Sequence, residues 1–98
     1  MSAAGDMLRR AAEIVDGARQ EQHGDRERSF EAVAGLWNAY LAARRDDDIS
    51  RLTGFDVCQM MALLKIGRSL QGDKAHADHY VDLAGYAALA GELAGAKP

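Results

Sequence analysis

The sequence has 98 residues, a formal net charge of −3 and a pI near 5.5. This length fits one domain with one core, and the acidic balance offers no general basic surface for duplex nucleic acid or an anionic membrane. No apolar stretch approaches the roughly 20 residues of a membrane span, and the N-terminus lacks the apolar region of a signal peptide. We therefore expect a single domain over residues 1–98 that stays in the cytoplasm, with neither duplex nucleic acid nor membrane as a partner.

The composition favours helix over strand. Alanine, leucine, arginine and glutamate are abundant, and the single proline is Pro98. The single cysteine, Cys58, excludes an internal disulfide and a cysteine zinc site, and we expect no cofactor. The sequence predicts an all-α fold, namely a compact four-helix domain whose C-terminal half is an antiparallel helix hairpin.

The first two helices are separated by a polar turn. The first is predicted over about 6–22 with Asp6 as its N-cap, and the second over 30–43. Between them, the segment HGDRERS (23–29) contains Gly24, which can adopt positive φ, and Ser29, which can cap the second helix. The segment RRDDDISRL (44–52) follows, and we interpret its three aspartates as a solvated connection.

The last two helices form the predicted hairpin. Thr53 and Asp56 have the spacing of a capping box, and they open a third, strongly apolar helix over about 54–71. The fourth helix, about 76–93, is rich in alanine and glycine, which permit the close approach of a neighbouring helix or of another subunit. The turn near Lys74 is short, so the two helices should lie antiparallel.

Four charged residues of this hairpin share helix faces with apolar residues: Lys65, Arg68, Asp78 and Asp82. One interpretation is an interhelical salt bridge, between Arg68 and Asp82, that fixes the register of the hairpin. A buried ion pair gains little stability over apolar residues of the same volume, however. The other interpretation is that Lys65 and Arg68 line a pocket and meet an anionic ligand such as phosphate, with the two aspartates orienting them.

The histidines provide weaker signals of a functional site. His23 adjoins Gly24 at a helix end. Its imidazole is either simply exposed to solvent there, or it stacks on a base or donates to phosphate. His76 and His79 lack a third metal ligand nearby, so we predict no metal site there.

An enzymatic alternative rests on the carboxylates. Nucleotide pyrophosphohydrolases of the MazG type hold magnesium with carboxylates at three-residue spacing on two helices. Glu13 and Asp16 supply one such pair, but Asp78 and Asp82 are four residues apart. We therefore predict no catalytic residue and no metal ligand, and a magnesium-dependent pyrophosphohydrolase remains an alternative.

Four segments together resemble a family of small phage proteins of unknown function: residues 19–25, 30–37, 65–73 and 78–86. The third and fourth, KIGRSLQGD and DHYVDLAGY, are the most specific. The same pattern resembles the phage anti-CBASS sponge proteins, helical subunits that assemble into oligomers and sequester cyclic oligonucleotide immune signals without cleaving them. The resemblance implies a homo-oligomer in the host bacterial cell that binds a cyclic di- or trinucleotide between subunits.

In those relatives an aromatic residue in the turn stacks on the nucleobase, and a lysine of the following helix meets phosphate. The matching positions here are His23 and Asn38. Because asparagine carries no charge, nearby arginines would have to meet the phosphates. The resulting set of predicted ligand-binding residues is Arg19, His23, Arg26, Arg28, Asn38, Lys65 and Arg68. A third possibility is a protein-binding phage inhibitor that uses the acidic face of the first helix and the RRDDD segment.

Overall fold

The computed structural model describes residues 2–17, 26–44 and 51–98. These residues form four α-helices and no strand. The helices are α1 (Ala3–Asp16), α2 (Arg26–Ala43), α3 (Gly54–Gln71) and α4 (Ala77–Leu93). The prediction of an all-α fold is confirmed.

The first helix begins earlier than predicted because its cap is Ser2. The Ser2 hydroxyl oxygen accepts a hydrogen bond from the backbone N–H of Gly5 over 3.0 Å, and Asp6 lies inside the first turn. The helix ends at Asp16, before Gly17, rather than near residue 22. Residues 18–22 lie outside the described part of the chain.

The second helix also begins earlier than predicted, at Arg26. The assignment of Ser29 as its N-cap is therefore wrong, since Ser29 lies within the helix and is buried. Val33, four residues later on the same helical face, is buried as well. Ser29 thus belongs to the buried side of α2.

The third helix has the predicted bounds, and the capping box forms. The Thr53 hydroxyl oxygen accepts from the backbone N–H of Asp56 at 3.4 Å, and the Asp56 carboxylate accepts from the backbone N–H of Thr53 at 2.9 Å. Two of the backbone N–H groups that a helix start leaves without partners are satisfied in this way.

Helix α3 is the centre of the packing, with α2 against one side and α4 against the other. The α2–α3 approach is close at Gly67, where an added Cβ would lie 2.8 Å from Cγ2 of Val33. Residues 72–76 join α3 to α4, and a carboxylate oxygen of Asp73 accepts from the backbone N–H of Ala75 over 2.9 Å in this turn. The predicted helix hairpin is present.

Helix α1 stands apart. Among the described residues it packs against none of the other three helices, and none of its residues is buried. The core of the remaining helices is small, because Val33 and Ala90 are the buried apolar residues of the described part. Many large apolar side chains of α2, α3 and α4 therefore face solvent in the isolated chain. No helix in the described ranges has the length and apolar character that crossing a membrane requires.

Candidate functional site

An ion pair joins the two helices of the hairpin, but its basic member is Lys65. The Lys65 ammonium lies 3.0 Å from a carboxylate oxygen of Asp82. The Lys65 side chain is 16% exposed and that of Asp82 is 44% exposed, so the pair sits at the edge of the α3–α4 contact. The predicted pairing of Arg68 with Asp82 is therefore wrong. In this antiparallel register, position 65 rather than position 68 lies beside Asp82.

Asp78 does not orient the basic residues of α3. Its side chain is 77% exposed, and its carboxylate lies 3.4 Å from the imidazole of His76 in the turn. Asp78 occupies the first turn of α4, where a negative charge is favourable for the helix dipole. Of the two aspartates predicted to hold the basic residues, only Asp82 does so within the described part of the chain.

A shallow groove of about 450 Å³ runs along α4 beside this ion pair. It is lined by Val81, Asp82, Gly85, Tyr86 and Leu89, which recur at helical spacing on one flank. Gly85 has no side chain, and an added Cβ would meet nothing within 4 Å, so the groove floor is open there. The groove thus offers an aromatic ring, a carboxylate and an apolar wall.

Arg68 lies three residues after Lys65, one turn nearer to the hairpin connection. As a residue, Arg68 is half-buried. No hydrogen bond or ion pair engages the guanidinium within the described residues. Helix α3 therefore carries one basic group that pairs with Asp82 and a second, Arg68, whose charge no described side chain compensates.

The remaining predicted ligand-binding residues belong to the first two helices and the turn between them. Arg19 and His23 lie outside the described residues, and Arg26 is described only as the first residue of α2. Arg28 and Asn38 are exposed on α2. Within one chain, α2 and α4 lie on opposite sides of α3, so these two residues are not brought together with the groove.

Asn38 lies on the outer flank of α2. The opposite flank contacts α3 through Val33 and Trp37, and the Trp37 indole N–H donates to the backbone carbonyl of Met60 over 2.7 Å. Asn38 is one residue after Trp37 and five after Val33, which at 100° per residue turns it away from that contact. Asn38 and the groove therefore do not meet within the described part of the chain.

A buried polar network joins α2 to α3, and the sequence pattern had predicted only its helix-cap part, Thr53 and Asp56. The Tyr40 hydroxyl donates to Oδ1 of Asp56 over 2.6 Å, and Nε of Arg44 lies 3.4 Å from the same oxygen. The Thr53 hydroxyl donates to Oδ2 of Asp56 over 2.9 Å. The arginine also donates through Nη2 to the backbone carbonyl of Arg51, 2.7 Å away. The network fixes the end of α2 against the start of α3.

These contacts determine the charge state of Asp56. The hydrogen bond from Tyr40, the backbone and hydroxyl donors of Thr53 and the charge of Arg44 lower the pKa of the Asp56 carboxyl, although burial acts in the opposite direction. Asp56 is thus held as a carboxylate at neutral pH. Its four partners leave it little capacity to bind a ligand, and its function is structural.

The carboxylates of the magnesium alternative are not assembled in one chain. Glu13 and Asp16 lie on α1, which packs against no described helix, whereas Asp78 and Asp82 lie on α4. Among the described residues no group of three or more histidine, cysteine, aspartate or glutamate side chains is placed to hold a metal ion.

Comparison with known proteins adds one family and two relatives. The model of the family described as domain of unknown function DUF6378 matches residues 6–94. The Gene 55 protein of Mycobacterium phage L5 is 39% identical over 83 residues, covering 85% of this chain and 49% of that protein. The Gene 55 protein of Mycobacterium phage D29 is 32% identical over 81 residues, covering 83% of this chain and 48% of that protein. The chain therefore spans about half the length of these relatives. No solved structure matches.

Proposed function

Since the chain belongs to the DUF6378 family and is a phage protein, we propose that it binds and sequesters cyclic oligonucleotide immune signals without cleaving them. The binding site is the α4 groove with the basic residues of α3 beside it. The protein acts stoichiometrically in this proposal, so it needs affinity for the ligand and no catalytic group.

The observation that carries the proposal is the state of Arg68. Arg68 is half-buried as a residue, and an arginine that is partly withdrawn from water gains from a compensating anionic group. Arg68 lacks such a partner within the described residues. A phosphate would supply one, since its oxygens match the fork of guanidinium donors.

The groove, together with Lys65 that pairs with its residue Asp82, suits a nucleotide. The Lys65 ammonium has three N–H donors and directs one of them to Asp82, so the others can meet a phosphate. The ring of Tyr86 lines the groove and offers a surface on which a base can stack. A volume of about 450 Å³ is within the range of small-molecule sites.

A site between subunits would unite the two groups of predicted residues. Arg28 and Asn38 on α2 lie away from the groove of their own chain, so in this proposal they come from a second copy. A cyclic dinucleotide presents two bases and two phosphates with approximate two-fold symmetry, which a two-fold symmetric pair of chains would match. His23 and Arg19 stay predictions for the same site.

The test is calorimetric titration with cyclic di- and trinucleotides and with nucleoside triphosphates plus magnesium, followed by heat denaturation and recovery of the ligand. We expect binding of a cyclic oligonucleotide and its recovery intact. Arg68→Ala should weaken affinity about 10- to 100-fold, the loss expected for a charge-assisted hydrogen bond. Arg10→Ala removes the same charge from the exposed surface of α1 and serves as the control.

Other outcomes would replace the proposal. Release of pyrophosphate from a triphosphate, abolished by Asp82→Asn, would establish the enzymatic alternative. Absence of binding to every nucleotide, with stoichiometric capture of one host protein, would favour the protein-binding inhibitor. Equal affinity of the Arg68→Ala and Arg10→Ala variants would reject the groove as the site.

A further inference from the structure

The charge inside the α4 groove is negative. Among the described residues that line the groove, Asp82 is the charged one, and its side chain is 44% exposed. A phosphate group and a carboxylate repel each other, so a nucleotide bound here directs its phosphates away from Asp82, toward the basic residues of α3. The groove itself is then left for an uncharged part of the ligand, which is the base.

The Asp82 carboxylate has acceptor capacity to spare. Its Oδ2 lies 3.0 Å from the Lys65 ammonium. Its Oδ1 makes no hydrogen bond or ion pair with any residue that the structure describes. A carboxylate has about four positions at which it can accept a hydrogen bond, and it donates none. Asp82 therefore offers acceptors, and acceptors alone, to a ligand in the groove.

Tyr86 lies one helical turn after Asp82 and lines the same groove. Residues four apart on a helix have their Cβ atoms about 5–6 Å apart, so the two side chains are neighbours. Gly85 lies between them in the lining and has open space above it. A base that stacks on the Tyr86 ring can therefore turn its hydrogen-bonding edge toward the Asp82 carboxylate.

The bases differ in what this edge presents to a carboxylate. Guanine has two adjacent donors, the ring N1–H and the exocyclic amino group, and both can meet one carboxylate. Adenine and cytosine each pair an amino donor with a ring nitrogen whose lone pair would face the carboxylate, and uracil has a single N–H between two carbonyls. A group that only accepts therefore favours guanine.

We infer that the α4 groove selects guanine, with Asp82 accepting from the base edge and Tyr86 stacking on the base face. This inference rests on the proposed function in taking the groove as a nucleotide site. It adds the class of ligand, namely guanine-containing cyclic oligonucleotides, and it assigns to Asp82 a direct contact with the ligand in addition to its ion pair with Lys65.

Matched pairs of ligands test the selection. Calorimetric titration compares cyclic di-GMP with cyclic di-AMP, and NMR titration compares GMP with AMP. We expect the guanine member of each pair to bind at least about 10-fold more tightly, because its additional hydrogen bond goes to a charged acceptor. The monophosphates test the groove without requiring a cyclic ligand.

Asp82→Asn changes the hydrogen-bonding character of the side chain and keeps its shape. The amide donates as well as accepts, which matches the adenine edge, so the ratio of guanine to adenine affinity should fall at least about 10-fold. Asp78→Asn removes the same charge from the same helix, at a side chain that is 77% exposed and lies outside the groove lining. This control should leave the ratio unchanged.

Two further variants separate base selection from overall affinity. Lys65→Ala removes the ion pair and keeps the carboxylate, and Tyr86→Leu removes the stacking surface. Each should weaken the binding of guanine and adenine ligands by a similar factor and preserve the ratio between them. A ratio that falls as far in Lys65→Ala as in Asp82→Asn would assign the selection to the ion pair and overturn the role of Asp82.

The outcomes distinguish this inference from the proposed function. Equal affinities for guanine and adenine ligands, or a guanine preference that survives in Asp82→Asn, would overturn the inference and leave the proposed function intact. Binding of GMP over AMP without binding of any cyclic oligonucleotide would reject the proposed function and support the guanine site. Failure of all four ligands to bind would overturn both.

Discussion

The Tyr40 hydroxyl donates to Oδ1 of Asp56 over 2.6 Å, which links the last turn of α2 to the first turn of α3. Asp56 is buried, and Arg44 and Thr53 make its other polar contacts. Arg44 also donates to the backbone carbonyl of Arg51, so the network joins the end of α2 to the residues just before α3. It is a direct polar connection between α2 and α3.

Loss of the tyrosine hydroxyl should destabilise this junction. Tyr40→Phe keeps the ring and removes one hydrogen bond to a carboxylate, so we expect the free energy of unfolding to fall by about 1.5–3 kcal/mol. Urea denaturation followed by circular dichroism measures the change. Tyr80→Phe is the matched control, since the Tyr80 side chain is half exposed and its hydroxyl contacts only a backbone carbonyl at the surface. Equal losses in the two variants would contradict a special contribution from the network.

The network should also make stability depend on pH in a defined direction. The pKa of Asp56 is lowered from its ordinary value of 3.8, so the folded state retains the carboxylate to lower pH than the unfolded chain does. This contribution is complete above pH 3.8 and is lost as the pH falls through the lower folded-state pKa. The advantage of the natural protein over Asp56→Asn should be constant from pH 7 to pH 5 and should shrink below pH 4, measured as urea midpoints. A gap that stays the same at pH 3 would count against this account.

Two helical glycines should respond oppositely to alanine. At Gly67 the new methyl group would lie 2.8 Å from Cγ2 of the buried Val33, so Gly67→Ala should force α2 and α3 apart and cost about 1–3 kcal/mol. At Gly85 nothing lies within 4 Å, and Gly85→Ala should gain about 0.5–1 kcal/mol from helix propensity. Thermal unfolding of both variants provides the comparison. Stabilisation by Gly67→Ala would show that the helices are not in close contact there.

Arg68 should contribute more to ligand binding than to folding. Its guanidinium has no ion-pair partner in the described part of the chain, so Arg68→Ala should change the free energy of unfolding by less than about 1 kcal/mol. Lys65→Ala should cost a similarly small amount, because its partner Asp82 is 44% exposed and solvent screens the pair. Urea midpoints of the two ligand-free variants test this. A loss near 3 kcal/mol for Arg68→Ala would indicate a buried ion pair instead.

Local signals in the sequence predicted the helices well where capping residues were unambiguous. The capping box at Thr53 and Asp56 gave the start of α3, and the Gly72–Asp73 pair gave its end. The start of α2 was misplaced because Ser29 has the chemistry of a cap but occupies the buried face of a helix that begins one turn earlier. A serine near a helix start does not by itself distinguish these two positions.

The amino-acid sequence by itself determined that the chain is helical, that α3 and α4 form a hairpin and that basic and acidic residues meet on it, because helix propensity, periodicity and a short turn are local properties. Only the tertiary structure decided that Asp82 pairs with Lys65, that Arg68 is left uncompensated and that Tyr86 lines a groove. Those outcomes depend on the register between two helices, because a shift of one turn would put Arg68 in place of Lys65 beside Asp82. That α1 packs against no other described helix was equally invisible in the sequence, because an amphipathic helix has the same pattern whichever surface covers it.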